Sequence, residues 1–186
     1  MISKFNTVKK LALTATLLFG SAASAGPIAV DTWYEFSFGA TGSAAQACTS
    51  CSASSGTPTV FADAPAWTFT STGGQGFTVV DAFLRGDSFD VFDFGTLLFS
   101  TTPVAATGTC GSDPEVCLAD PLVSSNRVLL AAGAHSITMT VNNSPFSGGA
   151  AYFRYDVPEP TTMFLLGSGL LGLGYLRRRK LAVEQN

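Results

Sequence analysis

The stretch Val30-Asp31-Thr32-Trp33-Tyr34-Glu35-Phe36-Ser37-Phe38 alternates between two sets of side chains. Tyr34, Phe36 and Phe38 fall on one side of an extended chain, and Trp33 falls on the other among charged and polar neighbours. A period of two with one apolar side is the pattern of a half-buried β-strand. We therefore expect a first strand from Val30 to Phe38, with Trp33 on its exposed side.

Similar short segments recur along the body of the chain, without a helical period. Ser71 to Gly76 is a Gly-rich turn that suits a hairpin, and Asp93-Phe94-Gly95 marks a second hairpin turn. Gly39 to Gly56 and Pro103 to Ser125 are expected to be long exposed loops. The pattern predicts an all-β fold, an antiparallel β-sandwich or jelly roll of one domain over residues 26–156. Further strands are expected at residues 59–61, 66–70, 77–83, 88–94, 96–100, 127–130, 135–141 and 150–155.

The body is strongly acidic although the whole chain has a formal net charge of only −3. Between Gly26 and Asp156 three arginines stand against eleven acidic residues, which gives −8, and there is no lysine. Such a surface repels phosphate backbones. Nucleic acid is therefore excluded as a partner.

The first 25 residues have the three parts of a secretory signal peptide. Lysines at the start precede an apolar helical core from Leu11 to Phe19, and small residues end at Ala23-Ser24-Ala25. We expect cleavage between Ala25 and Gly26, with Ala23 completing the recognised pattern. The partners implied are Sec-type export machinery and a signal peptidase.

The C-terminal segment reads Val157-Pro158-Glu159-Pro160, then an uncharged run over residues 161–176, then Arg177-Arg178-Arg179-Lys180. The prolines end the folded domain. A 16-residue helix is about 24 Å long, which is short for a bilayer core of about 30 Å but adequate if the bilayer thins. We expect a single transmembrane helix with residues 177–186 in the cytoplasm and the body outside it.

An ordinary single-span anchor would also have these features, but their order resembles the PEP-CTERM sorting signal of exported bacterial proteins. The resemblance covers Val157 to Lys180 and implies recognition by an exosortase-type membrane enzyme, with cleavage near Pro158-Glu159-Pro160. It implies an inner-membrane single-pass intermediate that is later released to the cell surface or the extracellular matrix. Such proteins are common in Gram-negative bacteria that make exopolysaccharide, and some with this tail are described as ice-binding.

The body resembles a recurrent PEP-CTERM cargo domain of unassigned activity, over Val80 to Asp93, Cys110 to Cys117 and Gly133 to Met139. In that group the hairpin turn usually reads Asp-Asn-Gly, so Phe94 is a departure. No catalytic residues carry over from this resemblance.

The four cysteines are expected to form disulfides, because export delivers the chain to an oxidising space. Four cysteines allow three pairings. We expect two local bonds, Cys48 with Cys51 and Cys110 with Cys117, each closing a loop without a core of its own. The alternatives are a zinc site made by all four thiolates and a redox-active Cys48-x-x-Cys51 pair.

Asp87, Asp90 and Asp93, with Asp81 nearby, form the densest acidic cluster. Carboxylates are the ligands that Ca²⁺ prefers, but alternation along a strand places Asp90 on the face opposite the other two. We interpret them as solvated strand ends and expect no cofactor, with Ca²⁺ binding as the alternative.

Enzymatic signals are weak. His135 is the only histidine, and no Gly-x-Ser-x-Gly motif accompanies it. Glu35 and Glu115 would serve a glycosidase only at a suitable separation, which the sequence does not indicate. Strand aromatics mostly belong to cores, and Trp33 is the best candidate for a sugar-binding surface among Trp33, Tyr34, Trp67, Tyr152 and Tyr155.

These observations favour an exported, non-enzymatic protein with a structural or adhesive role in exopolysaccharide-rich biofilm. The second hypothesis is a carbohydrate-binding or ice-binding module. The third is a polysaccharide-active enzyme.

Overall fold

The computed structural model describes residues 26–157, which are built mainly of β-strands. Two of the eleven strands form a small separate sheet, and one short helix interrupts the series. In chain order the elements are β1 (Thr32–Phe38), β2 (Thr59–Phe61), β3 (Trp67–Thr72), β4 (Gly76–Asp81), β5 (Phe83–Leu84), β6 (Ser88–Asp93), β7 (Thr96–Ser100), β8 (Thr109–Gly111), α1 (Pro114–Ala119), β9 (Ser125–Leu129), β10 (Ala132–Asn143) and β11 (Gly149–Asp156).

The strands form two larger sheets, with the orders β2-β1-β11-β4-β9 and β3-β10-β6-β7, and the pair β5-β8. Every pair of strands is antiparallel except β1 with β2. The first long strand lies beside the last, with Thr32 opposite Tyr155 and Phe38 opposite Gly149. The predicted all-β class is therefore confirmed for residues 26–157.

The two larger sheets share one apolar core. Phe36 of β1 and Phe153 of β11 meet Trp67 of β3 and Phe89 of β6, and all four side chains are fully buried. Ring centroids lie 4.5 Å apart between Trp67 and Phe153 and 5.4 Å apart between Phe36 and Phe89. Burying each such side chain contributes roughly 1.5–3 kcal/mol. The alternation of β1 thus places Tyr34, Phe36 and Phe38 toward the core, as predicted.

Part of the outer face of the five-stranded sheet is buried as well, and the expectation of an exposed Trp33 is wrong. Trp33 is only 2% exposed, and it packs with Val80, Tyr152 and Cys117 in a second apolar cluster. The segment that carries Cys110, Cys117 and α1 covers this face. The sequence pattern was correct about alternation, but it did not show that a distant loop would cover the second side.

Helix α1 lies inside the segment that was expected to be loop. Asp113 is its N-cap and accepts a hydrogen bond from the Glu115 amide, while Pro114 occupies the first turn. These are ordinary start signals of a helix. The helix was missed because six residues are too short to show a helical period.

The hairpin β6–β7 is confirmed, and Phe94 and Gly95 form its turn with φ of 46° and 79°. The expected hairpin of β3 and β4 is wrong, because these strands lie in different sheets. The Gln75 Oε1 atom accepts hydrogen bonds from the Thr72 amide at 2.7 Å and the Ser71 hydroxyl at 2.9 Å. The Gly-rich segment is therefore held as a crossing between sheets.

The predicted signal peptide with its Ala23-Ser24-Ala25 site, the Pro158-Glu159-Pro160 motif, the helix predicted at 161–176 and residues 177–186 all lie outside the described residues. Within residues 26–157, no helix has the length and apolar character needed to cross a membrane.

Candidate functional site

The end of the folded body is held firmly where the C-terminal segment begins. The Val157 amide donates to Asp31 Oδ1 at 3.1 Å. Asp156, the last residue of β11, accepts a bond from Arg127 Nη2 at 2.9 Å and a longer one from Arg154 Nη2 at 3.4 Å. The strand therefore stays paired up to its last residue.

A cleft of about 480 Å³ opens at this end of the body. Its wall carries two arginines, Arg127 and Arg154, and two aspartates, Asp31 and Asp156. Both arginines contact Asp156, and two arginines stand against two aspartates, so the cleft offers hydrogen-bond donors and acceptors without a strong net charge. Sequence reasoning missed this site, although the alternation of Arg154 and Asp156 along β11 was a usable signal. Thr78, Leu118 and Val157 complete the wall.

Arg154 also connects the cleft to the buried Trp33. Its guanidinium lies 4.5 Å from the centroid of the Trp33 ring, and its Nη1 lies 2.5 Å from Glu115 Oε1. The Trp33 Nε1–H donates to the same Glu115 oxygen at 2.9 Å. Cation–π contacts of this type contribute about 0.5–2 kcal/mol. Trp33 is thus enclosed by its neighbours and lacks the exposed ring on which its candidacy for a sugar-binding surface depended.

Both predicted disulfides are present, Cys48 with Cys51 and Cys110 with Cys117, with Cα atoms 5.5 Å and 5.1 Å apart. No cysteine in residues 26–157 is left free. A zinc site made by all four thiolates is therefore incompatible with this oxidised state.

Glu35 is the most unusual titratable group of the outer face. Its side chain is fully buried, and neither carboxyl oxygen has a hydrogen-bond partner of good geometry. The Tyr152 hydroxyl lies beside this carboxyl group and acts to lower the pKa of Glu35. That hydroxyl, however, donates its hydrogen bond to the Ser112 carbonyl at 2.9 Å. Burial raises the pKa of Glu35 to about 7. Burial also raises the pKa of Tyr152.

One carboxyl oxygen of Glu35 and the Sγ atoms of Cys48 and Cys51 lie within 4.8 Å of one another. Cys48 is buried and Cys51 is half-buried, so the solvent side of this group is Cys51. The carboxyl group therefore lies close to a disulfide in which Cys51 is the more exposed residue.

The aspartates proposed as calcium ligands have different environments. Asp90 accepts from the Ser100 hydroxyl at 2.6 Å, whereas Asp93 accepts from the Ser136 amide at 2.9 Å. Asp87 instead lies close to Asp81, and both are buried. In residues 26–157 these side chains do not bring three ligand atoms within 4.8 Å of one another.

Asp81 is held by backbone amides. It accepts from Ala82 at 2.8 Å and from both Gly86 and Asp87 at 3.1 Å. Burial, followed by the nearby charge of Asp87, raises the pKa of Asp81 to about 8 despite these bonds. Burial raises the pKa of Asp87 too, and one of its oxygens has no hydrogen-bond partner.

His135 is buried and each ring nitrogen faces an oxygen. Nδ1 lies 2.7 Å from Asp93 Oδ2, and Nε2 lies 3.1 Å from the Ala131 carbonyl. The ring also stacks on Phe69 with centroids 5.2 Å apart. These contacts fix β10 to its neighbours. Glu35 is buried, whereas Glu115 is exposed and is held by Trp33 and Arg154.

Comparison with known proteins identifies the segment that follows β11. Residues 156–180 match the family model of the PEP-CTERM protein-sorting motif. No curated protein and no solved structure matches the chain.

The match defines the class first: this is an exported, membrane-passing protein with a C-terminal sorting segment. The chain carries, specifically, a PEP-CTERM motif, which implies exosortase-dependent processing. The match begins at Asp156, the last residue of β11.

Proposed function

We propose that this protein is a non-enzymatic component of the cell surface or extracellular matrix, with a structural or adhesive role in exopolysaccharide-rich biofilm. The observation that carries the proposal is the sorting motif, which begins on the last residue of a compact β domain. The domain is thus the exported cargo. Sec-type machinery, signal peptidase and exopolysaccharide are the further partners that this proposal implies.

The strand order supports a jelly roll as the cargo fold. When the short strands β2, β5 and β8 are left out, the two sheets read β1-β11-β4-β9 and β3-β10-β6-β7. This is the order of two interleaved Greek keys, the connection pattern of eight-stranded jelly rolls, which occur in capsid and lectin domains. Fold alone does not determine function. The fold nevertheless suits a binding or structural protein.

The processing step has a direct test by intact mass. The protein is expressed in a host with an exosortase and in the same host without it, and its mature mass is measured. We expect the mature chain to begin at Gly26 in both hosts. We expect it to lack residues 177–186 only in the host that has the exosortase. A Glu159→Ala variant tests whether the motif is needed, with Glu184→Ala as the control. Retention of residues 177–186 in both hosts would favour a permanent single-span anchor.

The cleft beside Asp156 supports a second candidate, a carbohydrate-binding module. Paired arginines and aspartates offer the donors and acceptors that sugar hydroxyl groups need. We expect Arg127→Ala to weaken polysaccharide binding at least tenfold, with Arg85→Ala as the control, because Arg85 pairs with Asp120 away from this cleft. Absence of binding by the wild-type protein on a glycan array would refute this candidate. An ice-affinity assay on the same variants tests the ice-binding alternative.

An enzyme and a calcium site remain lesser proposals. Activity on a polysaccharide panel that is lost in Glu35→Gln or His135→Ala would support the enzyme. Calcium, if bound, is best proposed at Asp87 with Asp81, since both are buried and Asp87 has an oxygen without a partner. Asp87→Asn should then abolish any calcium-dependent rise in melting temperature, and a rise unchanged in Asp87→Asn would exclude this site.

A further inference from the structure

The disulfide Cys48–Cys51 has an unusual neighbour. Glu35 lies beneath it, fully buried, with both carboxyl oxygens lacking a hydrogen-bond partner and with one oxygen within 4.8 Å of both sulfurs. An unpartnered buried carboxyl is costly, by roughly 1–3 kcal/mol in typical proteins. Nothing in the packing of β1 requires a carboxyl group here, since an apolar residue would suit the same environment.

We propose that Cys48–Cys51 is a redox-active disulfide and that Glu35 is the proton donor and acceptor for the Cys48 sulfur. This function goes beyond export and sorting and does not depend on them. The reductant is an external dithiol, and the site exchanges two electrons and two protons with it.

The accessible sulfur determines the order of the steps. A thiolate of the dithiol attacks Sγ of Cys51, which is half-buried, and the disulfide electrons pass to Sγ of Cys48. Glu35 transfers its proton to this buried sulfur, so that no thiolate is left in an apolar site. The second thiol of the reductant then attacks its own sulfur in the mixed disulfide and releases the Cys51 thiolate, which takes a proton from solvent. The reductant leaves as a cyclic disulfide, and Glu35 regains a proton from solvent.

The groups around Glu35 are suited to this role. Among the described residues, Tyr152 from β11 is the titratable group that acts on Glu35, because the sulfurs of Cys48 and Cys51 do not titrate while they are joined in the disulfide. Asp113 acts on Tyr152 by raising the pKa of its hydroxyl. Burial raises the pKa of Glu35 to about 7, close to the value at which a group both gives and takes protons at neutral pH. No charged residue contributes to the pKa of Glu35, so none stabilises its ionised carboxylate.

The second disulfide is a control within the same molecule. Cys110 and Cys117 face backbone carbonyls, those of Asp81 and Gly111. In the described part of the chain no carboxyl oxygen lies within 4.8 Å of both of their sulfurs. Cys117 is fully buried. Cys110 is half-buried, as Cys51 is, so this bond differs from Cys48–Cys51 in having no carboxyl proton donor beside it.

The test measures the reduction rate of each disulfide separately. The full oxidised protein is treated with dithiothreitol at pH 6 to 8.5, quenched by alkylation and digested, and each rate is divided by the thiolate fraction of the reagent. We expect the corrected rate for Cys48–Cys51 to fall about tenfold above pH 7, as Glu35 loses its proton, and to be uniformly low in Glu35→Gln. The rate for Cys110–Cys117 should be the same in both proteins.

A corrected rate for Cys48–Cys51 that is independent of pH in the wild type, or unchanged in Glu35→Gln, would overturn the proposal. Because the pH profile of the wild type decides the question alone, the test stands even if Glu35→Gln fails to fold. Added Zn²⁺ that binds the reduced protein stoichiometrically and stops its reoxidation by glutathione disulfide would also overturn the redox assignment, in favour of a metal site.

Discussion

Replacing Glu35 with Gln should make the protein more stable at alkaline pH and leave it nearly unchanged in acid. The folded protein holds the pKa of Glu35 near 7, against 4.5 for the free side chain. The neutral form is thus favoured by the fold, and the stability that it contributes is fully present below pH 4.5 and lost as the pH rises to 7. A difference of that size corresponds to about 3 kcal/mol. Gln remains neutral, so it avoids this loss.

The assay is urea unfolding of the oxidised protein at pH 4 and pH 8.5. We expect the difference in unfolding free energy between Glu35→Gln and the wild type to increase by about 3 kcal/mol from pH 4 to pH 8.5. Asp81, whose pKa is raised to about 8, also lowers stability at high pH, but it is present in both proteins and cancels in the comparison. Asp63→Asn, at an exposed carboxylate, is the matched control. The same difference at both pH values would refute the reasoning.

Three further changes have expected results. Phe94→Asn should raise stability by about 1 kcal/mol, because Asn tolerates the left-handed conformation that Phe94 adopts with φ of 46°, and Phe94→Ala should show no such gain in thermal unfolding. The double variant Cys110→Ser, Cys117→Ser should lower the free energy of unfolding in urea by about 2–3 kcal/mol, as expected for a short disulfide loop. Its tryptophan fluorescence should shift to the red, because Trp33 becomes exposed. Unchanged fluorescence would contradict the role of this loop in covering Trp33. Arg154→Met should cost about 1–2 kcal/mol through the lost cation–π contact. This cost should become smaller when Trp33 is already Leu, because only the contacts of Arg154 with Glu115 and Asp156 are then lost.

Local signals predicted the elements that depend on neighbours in sequence. The hairpin β6–β7 follows from a turn of two residues between alternating strands, and the disulfides close loops of three and seven residues' separation. The sorting segment was recognisable because its four features follow one another without interruption. In each case the interacting residues lie close together in the chain.

The contacts that the sequence did not show join distant residues. Trp33 and Glu115 are 82 positions apart, yet their hydrogen bond fixes the cover over the outer face of the sheet. The crossing between β3 and β4 depends on Gln75 and on the two sheets that bury the strands. Alternation tells which residues share a face, but not which loop will lie on that face. The pairing of Glu35 with a disulfide was hidden for the same reason.

The position of β11 has a consequence for the order of events during export. This strand lies between β1 and β4, at the centre of its sheet, and it is also the last strand within residues 26–157. In a chain that crosses the membrane N-terminus first, the sheet lacks its centre until Asp156 has emerged. In such a chain the body would complete its folding only as the sorting motif reaches the membrane. A force that pulls on that motif must then break the backbone hydrogen bonds along both edges of β11, to β1 and to β4, in shear.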